Sequence, residues 1–422
     1  MTQILAGLKV GDWTAFYRLL SRGRFAVEAV SKVLLAQMVQ HVDPSQPLVV
    51  GVDGTQIWRT SRKLEGVGWH VCFRTPKWKP GIHLAQRWLH LAWLTPMVDG
   101  FSRAIPLRLV PAFSVKAKRV ITEAASEWAA ASGMRVWLRA ALDSLGRAKQ
   151  TILVLGDGGF DVVEFWSSLP RGVVLLVRTA TNRVLYHPPP PRAPGQKGRP
   201  RKYAQRALTP QQQRHVKDGT WRKVKIKVRG HERTLSVTVQ GPFLRKGAPN
   251  VPLMLIVVRG QTLQRRGKSV QREPVSFLVN AVKVGHDYQL PFPLADLLAW
   301  TWQRWELEVT HRAMKTTFGV GHKQCFNPKA AVVSVQWSAC CFALAMLAAY
   351  RAWSHFDHPK RPAPWYAGSR RWTHPLLFAQ LRTDFLAAHD FYPACHCSSL
   401  DLPNTISLRH LFFEAATRAA SP

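Results

Sequence analysis

The chain has 422 residues, 46% of them hydrophobic. That is enough for two or three domains, or for one core carrying a large insertion, and too long and apolar for a small packaging protein. Its 59 Lys and Arg against 24 Asp and Glu give a formal charge of +35, which calls for a polyanionic partner. Dispersed arginines and 17 tryptophans favour nucleic acid over an anionic membrane surface.

Residues 1–45 read as helical and basic. The run from Phe25 to Val39 has apolar residues at helical spacing, and Pro44 closes it. This region is a possible DNA-binding element or a cap on the core. Leu48-Val-Val-Gly-Val52 then reads as a short buried strand, followed directly by Asp53-Gly-Thr55. A basic, Trp-bearing excursion, Arg59 to Lys79, precedes two further strands, Trp88–Leu94 and Ile105–Val110. Asp99-Gly100 between them is a hairpin signal, so three consecutive antiparallel strands are expected. Val115 to Ser132 reads as an Ala-rich helix stopped by Gly133. Thr151–Leu155 is another buried strand with Gly156-Asp157-Gly-Gly-Phe160 at its end. A helix from about Val162 leads to a strand, Val173–Val177, ending in Arg178.

Composition changes after residue 182. His187 to Pro194 is too rich in proline for helix or central sheet. Gly198-Arg199-Pro200, with Lys197, Arg201 and Lys202 around it, reads as a minor-groove arm or a solvated linker. From Trp221 the pattern is β: Val224, Ile226 and Val228 alternate with Lys223, Lys225, Lys227 and Arg229. Strands at Thr234–Val239, Leu253–Val258 and Val275–Val279 complete a small sheet, whose row of cations suits a phosphate backbone.

Helix returns at Pro293. Thr301 to Lys315 has no Gly or Pro and carries Trp302, Trp305, Val309 and Ala313 on one apolar stripe. Arg304, Glu308, His311, Arg312 and Lys315 fall within roughly 60° of one another on a helix, a cationic face around one carboxylate. Ala330 to Tyr350 carries no charge and is long enough to span a bilayer. Ser334, Gln336 and Ser338 within it, and no second span, favour a buried helix packed on a sheet. Residues 351–422 form a basic C-terminal region. Its Cys395-His396-Cys397, with His389 nearby, matches no usual zinc module. The six cysteines show no disulfide framework, and no basic segment followed by an apolar signal core opens the chain. A reducing cytoplasmic compartment is the expectation.

Asp53, Asp157 and Glu308 are the candidate catalytic and metal-binding constellation. Two follow apolar strands and the third comes from a helix, and three such hard oxygen donors suit Mg²⁺ or Mn²⁺. Two such ions can activate water or a 3′-hydroxyl and stabilise the oxygen leaving a phosphodiester. An Asp after a strand is also a common turn or helix cap. Asp161 competes with Asp157, but it stands where a helix N-cap belongs. Glu306 competes with Glu308, but it lies about 160° round the helix from the basic row.

Arg304-x3-Glu308-x6-Lys315 is similar to the Y-x2-R-x3-E-x6-K signature of bacterial insertion-sequence transposases of the DDE superfamily. Val52-Asp53-Gly-Thr55 and Gly156-Asp157-Gly-Gly-Phe160 resemble that family's first and second Asp motifs, and Thr301 stands where the signature has Tyr. The resemblance covers residues 46–182 and 290–350. It implies a ribonuclease H-like catalytic core, a mixed α/β sheet flanked by helices and interrupted by a β-rich insertion at 183–289. It further implies two Mg²⁺ ions, cut-and-paste transposition, and an oligomer on the element's terminal repeats and target DNA in a bacterial, nucleoid-associated setting. Arg304 and Lys315 would touch DNA near the scissile phosphate. His311, Arg312, Arg178, Lys223, Lys225, Lys227, Arg199 and Arg201 are the further DNA contacts expected. A structure-selective nuclease on the same core, and a non-catalytic DNA-binding derivative, are the rival readings.

Overall fold

The computed structural model describes residues 13–23, 25–72, 75–76, 78–113, 126–191, 198–216, 220–265, 268–323, 325, 327–357 and 371–387. The Cys395-His396-Cys397 cluster lies outside them. The chain forms two compact units, Val27–Met314 and Met1–Ala26 with Lys315–Pro422. The expected N-terminal region 1–45 is therefore divided between them.

In the larger unit the strands are β1 (Leu48–Trp58), β2 (Val67–Val71), β3 (Ile82–Leu94), β4 (Ala104–Pro111), β5 (Ile152–Gly156), β6 (Val173–Thr179) and β7 (Arg222–Val228). They continue with β8 (His231–Arg245), β9 (Ala248–Val258), β10 (Gln261–Arg265), β11 (Lys268–Arg272), β12 (Val275–Asn280), β13 (Val282–Val284) and β14 (Asp287–Gln289). β1 and β4 are each antiparallel to β3, and β5 and β6 follow parallel to β1, the mixed core sheet that was expected. The hairpin signal at Asp99-Gly100 is realised: both residues have positive φ, 53° and 70°, between the bridged Val98 and Phe101.

The strands at 222–228, 231–245, 248–258 and 275–280 do not make a sheet of their own, and between them β10 and β11 pair apart from the core. β12 pairs antiparallel with β6, and β9, β8 and β7 follow, so the ten-stranded sheet runs β2-β3-β1-β5-β6-β12-β9-β8-β7 with β4 on β3. The reason lies in β6, whose Val173–Val177 are all buried. Left at an edge, that apolar strand would expose unpaired backbone, and β12 covers it. The sheet then curls back. The turn after β7 meets the β3–β4 turn, with Arg229 N–H donating to Gly100 O at 2.8 Å and Gly230 N–H to Asp99 O at 2.9 Å. A Cβ on Gly100 would stand 2.6 Å from the Lys227 backbone, so only glycine fits this crossing.

The helices are α1 (Trp13–Arg22), α2 (Val27–Met38), α3 (Glu127–Ser144), α4 (Val163–Ser167), α5 (Pro210–Gln213), α6 (Leu294–Gln303), α7 (Trp305–Thr316), α8 (Pro328–Trp353) and α9 (His374–Ala387). Gly133 does not stop a helix: α3 runs through it, capped by Ser126, whose hydroxyl accepts from Ala129 N–H at 3.2 Å. Burial of Met134, Trp137, Leu138 and Leu142 outweighs the modest cost of one interior glycine. Residues 115–125 of the expected helix lie outside the described residues.

The stretch Thr301 to Lys315 is two helices meeting at Arg304, and its buried face is not the expected Trp stripe. Trp305 is exposed, while Gln303, Glu306, Leu307, Thr310, His311 and Met314 face inward. Polar side chains are tolerated there because backbone carbonyls wait for them. Gln303 donates to Gly100 O and Thr310 to Ala104 O, each at 2.8 Å. Leu297, Leu298 and Leu307 seal one face of the sheet against Val49, Leu94, Leu155, Leu176 and Val228.

In the smaller unit α8 is one helix long and apolar enough to cross a membrane, yet 67% of its most apolar window is buried within the protein. Its partners in that unit are helices. Leu20 of α1 packs on Ala330 and Val333, and Phe342 meets Phe378 of α9 with ring centroids 5.9 Å apart.

Candidate active site

β1 pairs in parallel with β5, Gly51 beside Leu155, and β5 with β6, Gly156 beside Val177. Carrying those registers forward puts Asp53, Asp157 and Arg178 level on neighbouring strands. Adjacent strands lie about 4.8 Å apart, so the two carboxylates and the guanidinium form one transverse row on one face. β3 extends the row, because His90 is the direct antiparallel partner of Asp53. Asp53 is thus not beyond a strand end as expected. It is the sixth residue of β1, whose pairing with β3 continues to Trp58.

The helix-borne carboxylate reaches this row because Leu307 sinks into β1. A Cβ on Gly51 would come 2.5 Å from Leu307 Cδ1, so glycine lets α7 approach the strand that holds Asp53. Arg304, at the junction of α6 and α7, lies 3.6 Å from Asp53 and 3.1 Å from Glu308. It joins strand and helix carboxylates through one planar cation.

Asp53 has its pKa raised from 3.8 to about 7. Burial is the main cause, Arg304 opposes it, and the charges of Asp157 and Glu308 push it further up. Arg304 therefore compensates only part of the negative charge gathered here.

His311 occupies a different place from the one expected. It is buried, and its Nε2 lies 2.8 Å from Nδ1 of the fully buried His90, one nitrogen donating and the other accepting. The pair ties α7 to β3 beside Asp53. A one-helix projection placed His311 with the cations because it could not see the sheet beneath. His90 itself was missed, although a histidine inside the apolar run Trp88-Leu-His-Leu-Ala-Trp93 is a polar residue out of pattern.

Asp157 lies at a cleft of about 570 Å³ that is also lined by Arg178, Thr301, Arg304 and Phe277. One of its oxygens accepts from Gly159 N–H at 2.8 Å, so it caps the Gly158–Phe160 turn while fronting the cleft. Asp161 is not the N-cap of α4, a position that Val162 takes. Its carboxylate is fully buried, accepts from Trp166 Nε1 at 3.0 Å and Thr179 Oγ1 at 2.6 Å, and pairs with Arg245 and with Arg183 at 2.7 Å. Every oxygen is spent inside the protein, which removes it from the contest with Asp157. Glu306 is likewise turned inward, 3.6 Å from Arg229.

The other expected DNA contacts are scattered more widely. Arg312 is exposed, and Lys315 is half-buried in the last turn of α7. Lys223, Lys225 and Lys227 project from the terminal strand β7 as the alternation required, Lys227 pairing with Asp99. Arg199 and Arg201 are exposed. A second cleft of about 430 Å³, lined by Arg229, Arg233, Trp302 and Trp305, shares Thr301 and Arg304 with the first. Arg87, which grips Glu127 through bonds of 2.6 and 2.7 Å, is another cation that sequence gave no sign of. It is held more firmly protonated, first by that hydrogen bonding and also by the charges of Asp157 and Asp53.

The donor set fits a hard divalent cation: carboxylates only, with Asp53 driven toward its neutral form first by burial and further by the charges of Asp157 and Glu308. Among the described residues no three His, Cys, Asp or Glu side chains are gathered tightly enough to hold an ion as they stand. Arg304 stands between two of the donors.

No curated protein matches the chain in sequence. The cryo-EM structure of the piggyBac transposase synaptic complex with hairpin DNA superposes with a TM-score of 0.33 and 8% identity. The match covers 88% of this chain and 57% of that one, so the chain spans just over half the length of that protein. Family membership rests instead on sequence: residues 1–234, which include Asp53 and Asp157 and end in β8, match the model of the DDE superfamily endonucleases. The chain belongs to the DDE superfamily endonucleases.

Proposed function

We propose that the chain is a DNA transposase that cleaves at the ends of its element and joins them to target DNA. The observation that carries this reading is the clasp of Asp53 and Glu308 by Arg304, with Asp157 level with Asp53 on the next strand. Family membership supports endonuclease chemistry, and divalent metals are in general use across that superfamily. Asp53, Asp157 and Glu308 would hold Mg²⁺, or Mn²⁺ in its place. Bound there, the ions supply activation of the attacking oxygen and stabilisation of the leaving one.

Water attacks the phosphodiester at the element's end, the P–O3′ bond breaks, and a 3′-hydroxyl and a 5′-phosphate remain. That 3′-hydroxyl then attacks a target phosphodiester, forming one P–O bond and breaking another. The chain's own part is to place the phosphate. Arg304 and Arg178 flank the cleft beside Asp157 and offer planar cations to non-bridging oxygens. Arg312, Lys315, Arg199, Arg201 and the β7 lysines extend the contact along the backbone. His311, buried against His90, ties α7 to β3 beside these groups. The working form would be a homodimer or higher oligomer on the element's two ends, in the reducing cytoplasm among nucleoid DNA.

The test incubates the protein with labelled element ends, a target plasmid and Mg²⁺, beside Glu308→Gln. Labelled ends joined to plasmid by the wild type alone are expected. Cleavage without joining would leave a nuclease on the same core, and equal products from both proteins would remove Glu308 from the site.

A further inference from the structure

The excursion between β1 and β3 is basic and carries two tryptophans, Trp69 and Trp78. It forms a ribbon at the sheet's edge, β2 pairing with the start of β3. Trp69 is 53% exposed and Trp78 83% exposed, although burial of an indole is among the larger apolar gains a chain can make. Val71 and Ile82, half or more exposed, lie beside Trp69. An exposed apolar patch of this kind marks a surface that something else covers.

Register gives the patch a side. Trp69 pairs with Leu84 and Val71 with Ile82, and these even-numbered residues of β3 share the face of His90, the partner of Asp53. Trp69 therefore lies on the candidate acids' face, six residues along β3 from His90, roughly 20 Å away at about 3.3 Å per residue. Trp58, also exposed, pairs with Ala85 and stacks near His83 on the opposite face.

Charge indicates what covers it. From Trp58 to His83 the sequence holds six Lys and Arg and one acid, Glu65, which is buried. Arg62 lies over the Trp69 ring at 5.0 Å. The tip that presents Trp78 is fastened by Thr75, whose hydroxyl donates to Cys72 O at 2.7 Å and accepts from Gly81 N–H at 2.8 Å. Fixed indoles among cations, with no exposed carboxylate between them, match a polyanion that also offers flat π-surfaces. Bases within a duplex are already stacked on one another; unpaired bases are free to stack on protein.

We propose that Trp69 and Trp78, with Arg62, form a stacking platform for unpaired bases of DNA running from the candidate site. Its position rests on the DNA reading of that site; the binding itself does not require turnover.

Affinity is measured by anisotropy for a labelled oligothymidylate and for a duplex of equal length. The proteins are wild type, Trp69→Ala/Trp78→Ala, Trp69→Phe/Trp78→Phe and Trp58→Ala, each checked for an unchanged melting curve. The alanine pair should lose about 30-fold or more on the single strand and less than about threefold on the duplex, with the phenylalanine pair keeping most of the affinity. Trp58→Ala should bind as wild type. Equal losses on both DNAs, or none on either, overturn the platform. So does an unchanged single-strand affinity in an alanine pair that sediments as a smaller species than wild type, which makes the patch a contact between copies. If wild type joins and cleaves nothing while the single-strand loss persists, the platform stands and the transposase reading falls.

Discussion

Leu307 of α7 lies against Gly51 of β1, so closely that a Cβ on Gly51 would stand 2.5 Å from Leu307 Cδ1. That packing brings Glu308 to Asp53, two residues further along β1. Gly51→Ala should therefore push the helix outward, costing about 1–3 kcal/mol of stability and at least tenfold in DNA cleavage. Adding Leu307→Ala, which vacates the space, should restore part of both. Full activity in Gly51→Ala alone would show that Glu308 does not depend on this contact.

The folded pKa of Asp53, about 7, lies above the ordinary carboxyl value of 3.8, so protonation is favoured by folding. For a carboxyl this means that stability falls as pH rises from about 4 to 7 and then levels off. Asp53→Asn removes that penalty. In chelator at pH 8 the variant should be more stable than wild type by about 1–3 kcal/mol, the gain shrinking toward pH 4. Cleavage should be lost at every pH. Denaturant midpoints of the two proteins at pH 8 and pH 5 measure it, and a variant less stable than wild type at pH 8 contradicts the electrostatic account.

Asp161 should behave in the opposite way. Its carboxylate is the common partner of Arg183 and Arg245, and burial already makes the Arg245 guanidinium easier to deprotonate. Asp161→Ala leaves two cations facing each other in the interior, at a cost of about 3–5 kcal/mol. Metal affinity, followed in any preparation that still folds, should not change. Loss of metal binding without loss of stability would return Asp161 to the list of ligands.

The β7 lysines carry a salt prediction. If Lys223, Lys225 and Lys227 each neutralise a phosphate, the triple alanine variant should flatten the slope of log affinity against log salt by about 2 to 3. Because Lys223 and Lys225 are exposed and Lys227 makes one surface ion pair, with Asp99, its melting temperature should fall only slightly. An unchanged slope takes this edge of the sheet out of the DNA path.

Period and punctuation made much of the core readable from sequence. Alternation in Val224, Ile226 and Val228, the Asp99-Gly100 turn and the apolar run before Asp157 depend on neighbours a few residues away and took their expected local form, and the run before Asp53 is a strand as expected, though one that continues to Trp58. The order Asp, Asp, Glu with Arg304 and Lys315 around the last is likewise a property of the chain, as is the charge of +35. What only the tertiary structure decided depends on contacts between residues far apart. β12 joins β6 because a buried strand cannot be left as an edge, which turned an expected separate sheet into an extension of the core. His311 belongs with His90, 221 residues earlier, because α7 presses that side of the helix onto β3. Asp161 is satisfied by Arg245, 84 residues on, and so is withdrawn from the cleft that Asp157 faces. A helical wheel or a strand pattern states which residues share a face; which face is buried, and against what, is settled only when the elements pack.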